Sequence, residues 1–318
     1  MTGRPLLVVL RPLGLGDLLT GVPALRGLRA AFPEHRVVLA APSALTPLAV
    51  RSGAVDVVVD AEPLRPLDSR LEGADVAVDL HGKGPESHRV LLAARPKRLV
   101  AFAHGDVPES RRMPTWRADE HEVERWCRLL AESGIPADPA ALDVEPPSSP
   151  APVQARGATV IHPGAASPAR RWPAERYAAV ARAELRRGRR VVVTGAPGEL
   201  GLARRVATGA GLGEPAVLAG RTDLLGIAAV VAVAARVVCG DTGVAHLATA
   251  LRTPSVVLFG PTAPARWGPP GERPWHRPLW KGRTGDPHAG EPDGGLLDVE
   301  VVEVLDALAE LDALEEAA

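Results

Sequence analysis

Cysteine is scarce in this chain. Cys127 and Cys239 are its only two, they stand far apart, and no C-x-x-C pair occurs. Neither a disulfide scaffold nor a zinc ribbon is available, and a reducing cytoplasm is the default compartment. An excess of one charge is lacking as well. The 37 Lys and Arg residues against 38 Asp and Glu leave a net charge of −1, which argues against a nucleic-acid partner. Long apolar runs are also missing. The longest, LGIAAVVAVAARVVCG, is interrupted by Arg236 and reads as a helix followed by a strand, not a membrane span. The opening MTGRPLLVVLRPLGLGD has an apolar core of five residues and no small-residue cleavage site, so no secretory signal is expected.

Several catalytic signatures are absent too. Without GxxxxGK[ST] there is no P-loop NTPase, and without GxSxG no α/β-hydrolase elbow. The glycine-rich GLGDLL after the first apolar run places Leu19 where a dinucleotide fingerprint needs its third glycine, so that fingerprint fails at its helix-packing position. Neither HExxH nor D-x-D occurs, and no dedicated metal site is indicated.

What is present is alternation. LLVVL (6–10), RVVLA (36–40), VDVVVD (55–60), DVAVDL (75–80) and RLVAF (98–102) read as buried strands. Helical patterns separate them, the clearest being GDLLTGVPALRGLRAAF with Leu18, Val22, Leu25 and Leu28 on one face. A longer helix is expected from about Ala118 to Ser133. The stretch EPPSSPAPVQARG (145–157), with four prolines and no apolar period, marks a linker. Beyond it strand-like ATVIHPG, RVVVTG, AVLAG, RVVCGD and PSVVLFG alternate with helices at 173–187, 198–208, 223–234 and 243–250. Residues 262–295, rich in Gly, Pro and Trp, are expected to be irregular, and VEVVEVLDALAELDAL to close the chain as a helix. The pattern is α/β. It gives two Rossmann-like domains, 1–150 and 151–318, with parallel sheets facing across a cleft. Ligands then bind beyond the carboxyl ends of the strands.

Four stretches at such ends carry polar groups. In RPLGLGDLLTGVPAL, Gly14 and Gly16 permit a tight turn, and Asp17 opens a helix. Asp17 is either an N-cap or a general base at the cleft edge. In HPGAASPARRWPAERY, Arg170 and Arg171 precede Trp172, and two guanidiniums there can grip a phosphate; Arg171 alone reads as a solvated turn. In VVVTGAPGELGLARRVA, Glu199 either complements a helix dipole or contacts a ligand. In CGDTGVAHLATAL a helix starting near Gly243 would direct the N–H groups of Thr242, Gly243 and Val244 at an anion. There Gly240 and Gly243 would clear the approach, the Thr242 hydroxyl and His246 would donate to the anion, and Asp241 would accept from sugar hydroxyls.

GDTGVAHLATAL with PSVVLFGPTAPARWGP, HPGAASPARRWPAERY and LRPLGLGDLLTGVPAL resemble glycosyltransferase family 9, the ADP-heptose:lipopolysaccharide heptosyltransferases. The likeness runs over roughly residues 6–270, with three motifs in order. It implies a GT-B fold, an N-terminal acceptor-binding domain and a C-terminal donor-binding domain. It also implies an inverting, metal-independent transfer of heptose from ADP-heptose to a lipopolysaccharide core-type or related glycan, with no cofactor. Asp17 matches the family's base. Asp241, Thr242, Gly243 and His246 match the motif that holds the donor diphosphate and sugar. Arg170 stands where the family usually has Lys, keeping the charge with a different geometry. Glu199 matches an acid that contacts the donor nucleoside.

The 80–120 region matches poorly, so the acceptor stays open. His81, Lys83, Arg89, Arg111, Arg112 and Arg117 are candidates to meet an anionic glycan or glycolipid, and each is equally a solvated surface charge. Trp116 either reaches the cytoplasmic membrane surface, as a peripheral contact would need, or packs. Three other readings stand beside this one: a GT-B transferase using another nucleotide sugar on a non-lipopolysaccharide glycan or natural product, a non-hydrolysing nucleotide-sugar epimerase, and a non-catalytic nucleotide-sugar binder.

Overall fold

The computed structural model describes residues 4–317. The chain forms two compact units, the first ending at Val144 and the second beginning at Glu145. Each is built around its own five-stranded sheet.

In the first unit the apolar runs become β1 (Leu6–Leu10), β2 (Arg36–Ala41), β3 (Val57–Asp60), β4 (Val76–Asp79) and β5 (Leu99–Val100). The order is β3-β2-β1-β4-β5, and every pair is parallel. β1 is central, with Val8 opposite Val38 on one side and Ala77 on the other. Residues 7–10 are sealed from solvent on both faces, which is why the strand reads as a continuous apolar run and not as an alternation. The helices are α1 (Leu15–Ala31), α2 (Thr46–Arg51), α3 (Glu86–Ala93) and α4 (Glu122–Glu132). α4 starts later than its apolar pattern suggests. His121 caps it, its Nδ1 accepting from the Val123 N–H at 3.3 Å, and that non-helical cap sets the boundary. Trp116 packs. Its ring lies 5.1 Å from Phe102 and 6.1 Å from Trp126, with the Arg125 guanidinium 4.3 Å above it.

The second unit repeats the plan with β6 (Thr159–His162), α5 (Ala174–Arg186), β7 (Val191–Val193), α6 (Leu200–Ala210), α7 (Leu224–Val233), β8 (Arg236–Gly240), α8 (Gly243–Ala250) and β9 (Ser255–Leu258). There follow α9 (Pro264–Trp267), β10 (His276–Leu279), α10 (Gly294–Leu297) and α11 (Val301–Ala317). Its sheet runs β10-β9-β8-β6-β7, again all parallel.

Two sequence expectations fail here. AVLAG (216–220) is not a strand. A 3-10 turn, Glu214–Ala216, takes its first residue, and Gly220 turns away at φ 71°. Only Val217 bridges to β7. Residues 262–295 are not wholly irregular either, since β10 extends the sheet from within them. Its HRPL sequence has no apolar run to betray it, and Pro278, which cannot donate to a ladder, is tolerated because β10 lies at the edge. Val304, Leu308 and Leu311 of α11 complete this unit's core. Both cysteines are free and buried. Among the described residues no helix is long and apolar enough to cross a membrane.

The close approach of α1 to the segment after α4 gives a stability test. A Cβ on Gly27 would lie 2.6 Å from the Pro136 carbonyl oxygen and 2.8 Å from the Ala137 Cβ. Gly27→Val should therefore cost about 2–3 kcal/mol through overpacking. A urea melt with an unchanged midpoint would disprove that contact.

Candidate functional site

Strand order concentrates the polar groups. In the first sheet the chain steps outward from β1 to β3, then returns to the other side of β1 for β4. In the second, β7 lies on one side of β6 and β8 on the other. At such a reversal the loops leaving adjacent strands diverge to opposite faces and open a crevice beyond their carboxyl ends. The candidate residues lie at these two places.

At the β1/β4 reversal the chain leaves Leu10 as Arg11-Pro-Leu-Gly14 and enters α1. Gly14 is the N-cap. Asp17 is not; it sits one turn in, and its Oδ2 accepts from the Gly14 N–H at 3.1 Å. Its Oδ1 lies 3.8 Å from Arg11 Nη2. The side chain keeps 27% of its exposure, so the carboxylate is anchored by its own turn yet open on one side. Gly16 lends its carbonyl to the Thr20 hydroxyl at 3.0 Å.

The loop after β4 supplies His81. Its pKa is pushed below the ordinary value by burial and then by the Arg11 charge, which outweigh the pull of Asp17. Burial and the Arg11 charge thus favour the neutral form of His81. Lys83, on the same loop, is exposed, as are Arg89, Arg111 and Arg112. Arg117 pairs with Glu132 at 3.3 Å. The structure does not gather these basic residues around Asp17 by any hydrogen bond or ion pair among the described residues.

At the β6/β8 reversal the pieces do meet. β8 ends at Gly240, Asp241 follows, and Thr242 is the N-cap of α8. Asp241 is buried, and its N–H stays in the ladder, donating to Leu258 O at 3.1 Å. The Thr242 hydroxyl makes no capping bond. The first N–H groups of α8 have no acceptor within the helix, so they and the hydroxyl together present donors at its positive end. Arg170 reaches this point from the loop after β6. Its Nη1 donates to the Asp241 carbonyl at 3.2 Å and lies 4.0 Å from the Asp241 carboxylate.

That loop is fixed from several directions. The Trp172 indole is buried and donates to Val299 O at 3.0 Å. The Ser167 hydroxyl donates to Ala289 O at 3.2 Å. Arg171, read as a solvated turn, instead clasps Ala165 O through Nε at 2.9 Å and Nη2 at 2.7 Å. Gly240 also has a role other than the expected one. A Cβ there would lie 2.8 Å from the Arg170 carbonyl, so the glycine makes room for this loop, not for a ligand.

Glu199 lies in the turn after β7 and binds back to the Ala196 N–H at 2.8 Å. Its carboxyl occupies the space a side chain on Gly164 would take, which brings it to the end of β6. Below it His162 is buried and shares a hydrogen bond with the Thr194 hydroxyl at 3.0 Å. Burial holds the His162 pKa down despite the Glu199 charge. His246, one turn into α8, meets the Trp267 ring of α9 edge-on at 5.8 Å.

Two participants escaped the sequence reading. Arg11 was part of the quoted motif, but nothing in its spacing showed that it folds back under Asp17. Trp267 lies 21 positions after His246, and only the return of the chain past β9 brings the rings together. Among the described residues no group of three His, Cys, Asp or Glu side chains is placed to hold a metal ion.

Comparison with known proteins bears on the family and the fold. The model for Glycosyltransferase family 9 (heptosyltransferase) matches residues 99–278, more than half of the chain. The lipooligosaccharide heptosyltransferase 2 of Haemophilus influenzae is 32% identical over 157 residues, which is 47% of this chain and 45% of that protein. The chain thus matches a little under half the length of this relative. Two solved structures align over nearly the whole chain. One is E. coli ADP-heptose lipopolysaccharide heptosyltransferase II, with TM-score 0.77 and 23% identity over 98% of this chain and 99% of that one. The other is the family 9 glycosyl transferase of Veillonella parvula, with TM-score 0.79 and 21% identity over 98% of each. The fold is GT-B.

The overlap of Glu199 with the vacant side of Gly164 can be tested. If the Glu199 carboxylate contacts a ligand, Gly164→Ala should swing it out and weaken nucleoside diphosphate binding as much as Glu199→Ala does. Calorimetry on the double variant should then find no further loss, because the two changes act through one group. Additive losses would show the sites to be independent.

Proposed function

The chain belongs to glycosyltransferase family 9, and on that premise we propose that it moves a sugar from a nucleoside diphosphate to a hydroxyl of a glycan or glycolipid acceptor. The donor favoured is ADP-heptose and the acceptor class a lipopolysaccharide core-type glycan, as the names of its relatives suggest. The observation that carries the reading is Arg170 beside Asp241 at the start of α8. A guanidinium, a helix N-terminus and an uncommitted hydroxyl suit a diphosphate, whereas a buried carboxylate does not. Next to sugar hydroxyls that carboxylate has donors to accept from. The combination fits a nucleotide sugar better than a bare phosphate.

The second unit is then the donor-binding domain, with Glu199 toward the nucleoside and Asp241 toward the sugar. The first unit supplies Asp17. Transfer proceeds by single displacement with inversion. The acceptor oxygen attacks the anomeric carbon as Asp17 takes its proton. The bond from that carbon to the phosphate oxygen breaks, and the nucleoside diphosphate leaves with the electron pair. Arg170, Thr242, His246 and the first N–H groups of α8, including that of Gly243, stabilise the charge that grows on the leaving group. No metal is assigned a step. The same reading places the enzyme in the cytoplasm.

Of the acceptor-side cations, Lys83, Arg111 and Arg112 remain the candidates to meet an anionic glycan. A peripheral contact with the membrane surface would rest on these exposed residues and not on Trp116, which is packed against Phe102.

Asp17→Asn keeps the shape of the turn and removes the base. The turnover number should fall by about 10²–10⁴, the usual contribution of a positioned base, while ADP affinity is unchanged. Retention of more than about a tenth of the wild-type rate would rule Asp17 out as the base. Screening ADP-, UDP- and GDP-sugars for release of the free diphosphate tests the donor, and only the ADP-sugar should be consumed. Arg170→Ala should weaken ADP binding by about 10–100-fold, the worth of a charge-assisted hydrogen bond. An unchanged calorimetric Kd would remove Arg170 from the site.

A further inference from the structure

Arg11 is the most heavily engaged polar side chain at the β1/β4 reversal, and the transfer chemistry assigns it no step. It directly follows β1, and its side chain is 1% exposed. Its Nε donates to the main-chain carbonyl of Asp17 at 2.6 Å, and its Nη1 to the carbonyl of Leu80. Its Nη2 donates to the Thr20 hydroxyl at 3.2 Å and to Glu122 Oε1 at 3.1 Å. The same nitrogen lies 3.8 Å from the Asp17 carboxylate. The guanidinium also sits over the Trp126 ring at 5.0 Å. One side chain thus joins the end of β1, the end of β4, the first turn of α1 and the first turn of α4. Thr20 reinforces it, its hydroxyl also bonding to the carbonyls of Gly16 and Asp17 at 3.0 and 3.1 Å.

Stability alone does not account for this choice. A buried ion pair is often no better than an apolar pair of similar volume, and the Trp126 ring already lies against the guanidinium. What an apolar pair could not do is hold the Asp17 carbonyl and stand beside its carboxylate. A lysine could not do it either, because its ammonium has no fork with which to span separate acceptors. The neighbouring sequence makes room for the fork, since a Cβ on Gly21 would lie 3.1 Å from Arg11 Nε.

We propose that Arg11 is the positioning residue for Asp17, fixing through its bonds to the Asp17 and Leu80 carbonyls where the carboxylate points. This inference rests on the transferase reading above. Glu122 balances part of the Arg11 charge. Burial works to raise the Glu122 pKa, but Arg11, the Trp126 indole and Arg125 outweigh it and hold the carboxyl below its ordinary value. Glu122 also pairs with Arg125, so the Arg11 charge is only partly balanced, and its bond to the Asp17 carbonyl is the geometric part of its contribution.

The test uses the full chain, ADP for binding by calorimetry, and ADP-heptose with a deacylated core oligosaccharide for turnover. Arg11→Met/Glu122→Leu removes both charges but also the bonds that Glu122 accepts from Arg125 and the Trp126 indole, so its melting curve is read first; Arg11→Lys keeps the charge without the fork. Both should bind ADP with a Kd close to wild type. Both should lose about 10²-fold in kcat, the scale of a misplacement of roughly 1 Å at a reacting group. A folded double variant, judged by its melting curve, that keeps kcat within about threefold of wild type overturns the proposal. So does Arg11→Lys with full activity. Where the double variant does not fold, Arg11→Lys decides: kcat lost at constant Kd supports positioning, and kcat and Kd worsening together shows a general structural role and overturns it. A wild-type chain inert toward every nucleotide sugar overturns the transferase reading and this inference with it. An active enzyme that needs Asp17 but is indifferent to Arg11 overturns only this inference.

Discussion

Every strand in both sheets runs in the same direction as its neighbours. Parallel strands need helical crossovers, crossovers cover both faces, and covered faces must be apolar. Polar chemistry is thereby driven off the faces and onto the strand ends. The carboxyl ends collect the loops that open into helices, and so the N–H groups that helices leave unsatisfied. Asp17, Glu199, Asp241 and Thr242 all stand at such ends because the interior of these sheets has no room for them.

Two of the buried arginines, Arg11 and Arg236, show how strand direction separates structure from function. Arg11 and Arg236 are each 2% exposed, and each is paired with carboxylates. Arg236 opens β8, at the amino end of the strand, and bonds to Asp312 and Glu315 of α11. Asp312 also binds Arg189, which pairs with Glu184 at 2.8 Å. That network ties the last helix to the sheet and faces no candidate ligand group. Arg11 lies just beyond the carboxyl end of β1, and its bonds converge on Asp17. Residue type and burial do not distinguish the two. Their position along the strand does.

Much of this could be read from the sequence. Nine of the ten strands lie within apolar runs, and the helix at 243–250 begins and ends where its glycine and its periodicity place it. Local signals suffice where each residue is buried by its own element. They fail where another element decides. β10 exists because β9 offers it an edge; AVLAG lacks the room to become a strand between the turn at Pro215 and Gly220. The site divides in the same way. Asp241, Thr242, Gly243 and His246 lie within six consecutive residues, and spacing reveals them. Arg170 joins them from 71 positions away; its own motif marked it as a phosphate grip, but no spacing tied it to Asp241. The contact between Arg11 and Glu122 spans 111 positions and carried no sequence signal.

Gly240 and Trp172 show why a motif can be specific without every member touching a ligand. Trp172 is sunk in the core and bonded to Val299 O, so it holds the strap that carries Arg170. Gly240 leaves the gap through which that strap passes. Neither meets solvent, yet altering either would move the Arg170 guanidinium relative to Asp241. A substitution that enlarged residue 240 would press on a backbone carbonyl, which cannot rotate aside as a side chain can. The strap would have to shift as a unit, and the arginine with it. The tryptophan and the glycine therefore mark one constraint seen from its two sides: a cation must be held over the carboxyl end of β8 at a fixed height. Arg170 supplies that charge, and its bond to the Asp241 carbonyl fixes the guanidinium against the strand end.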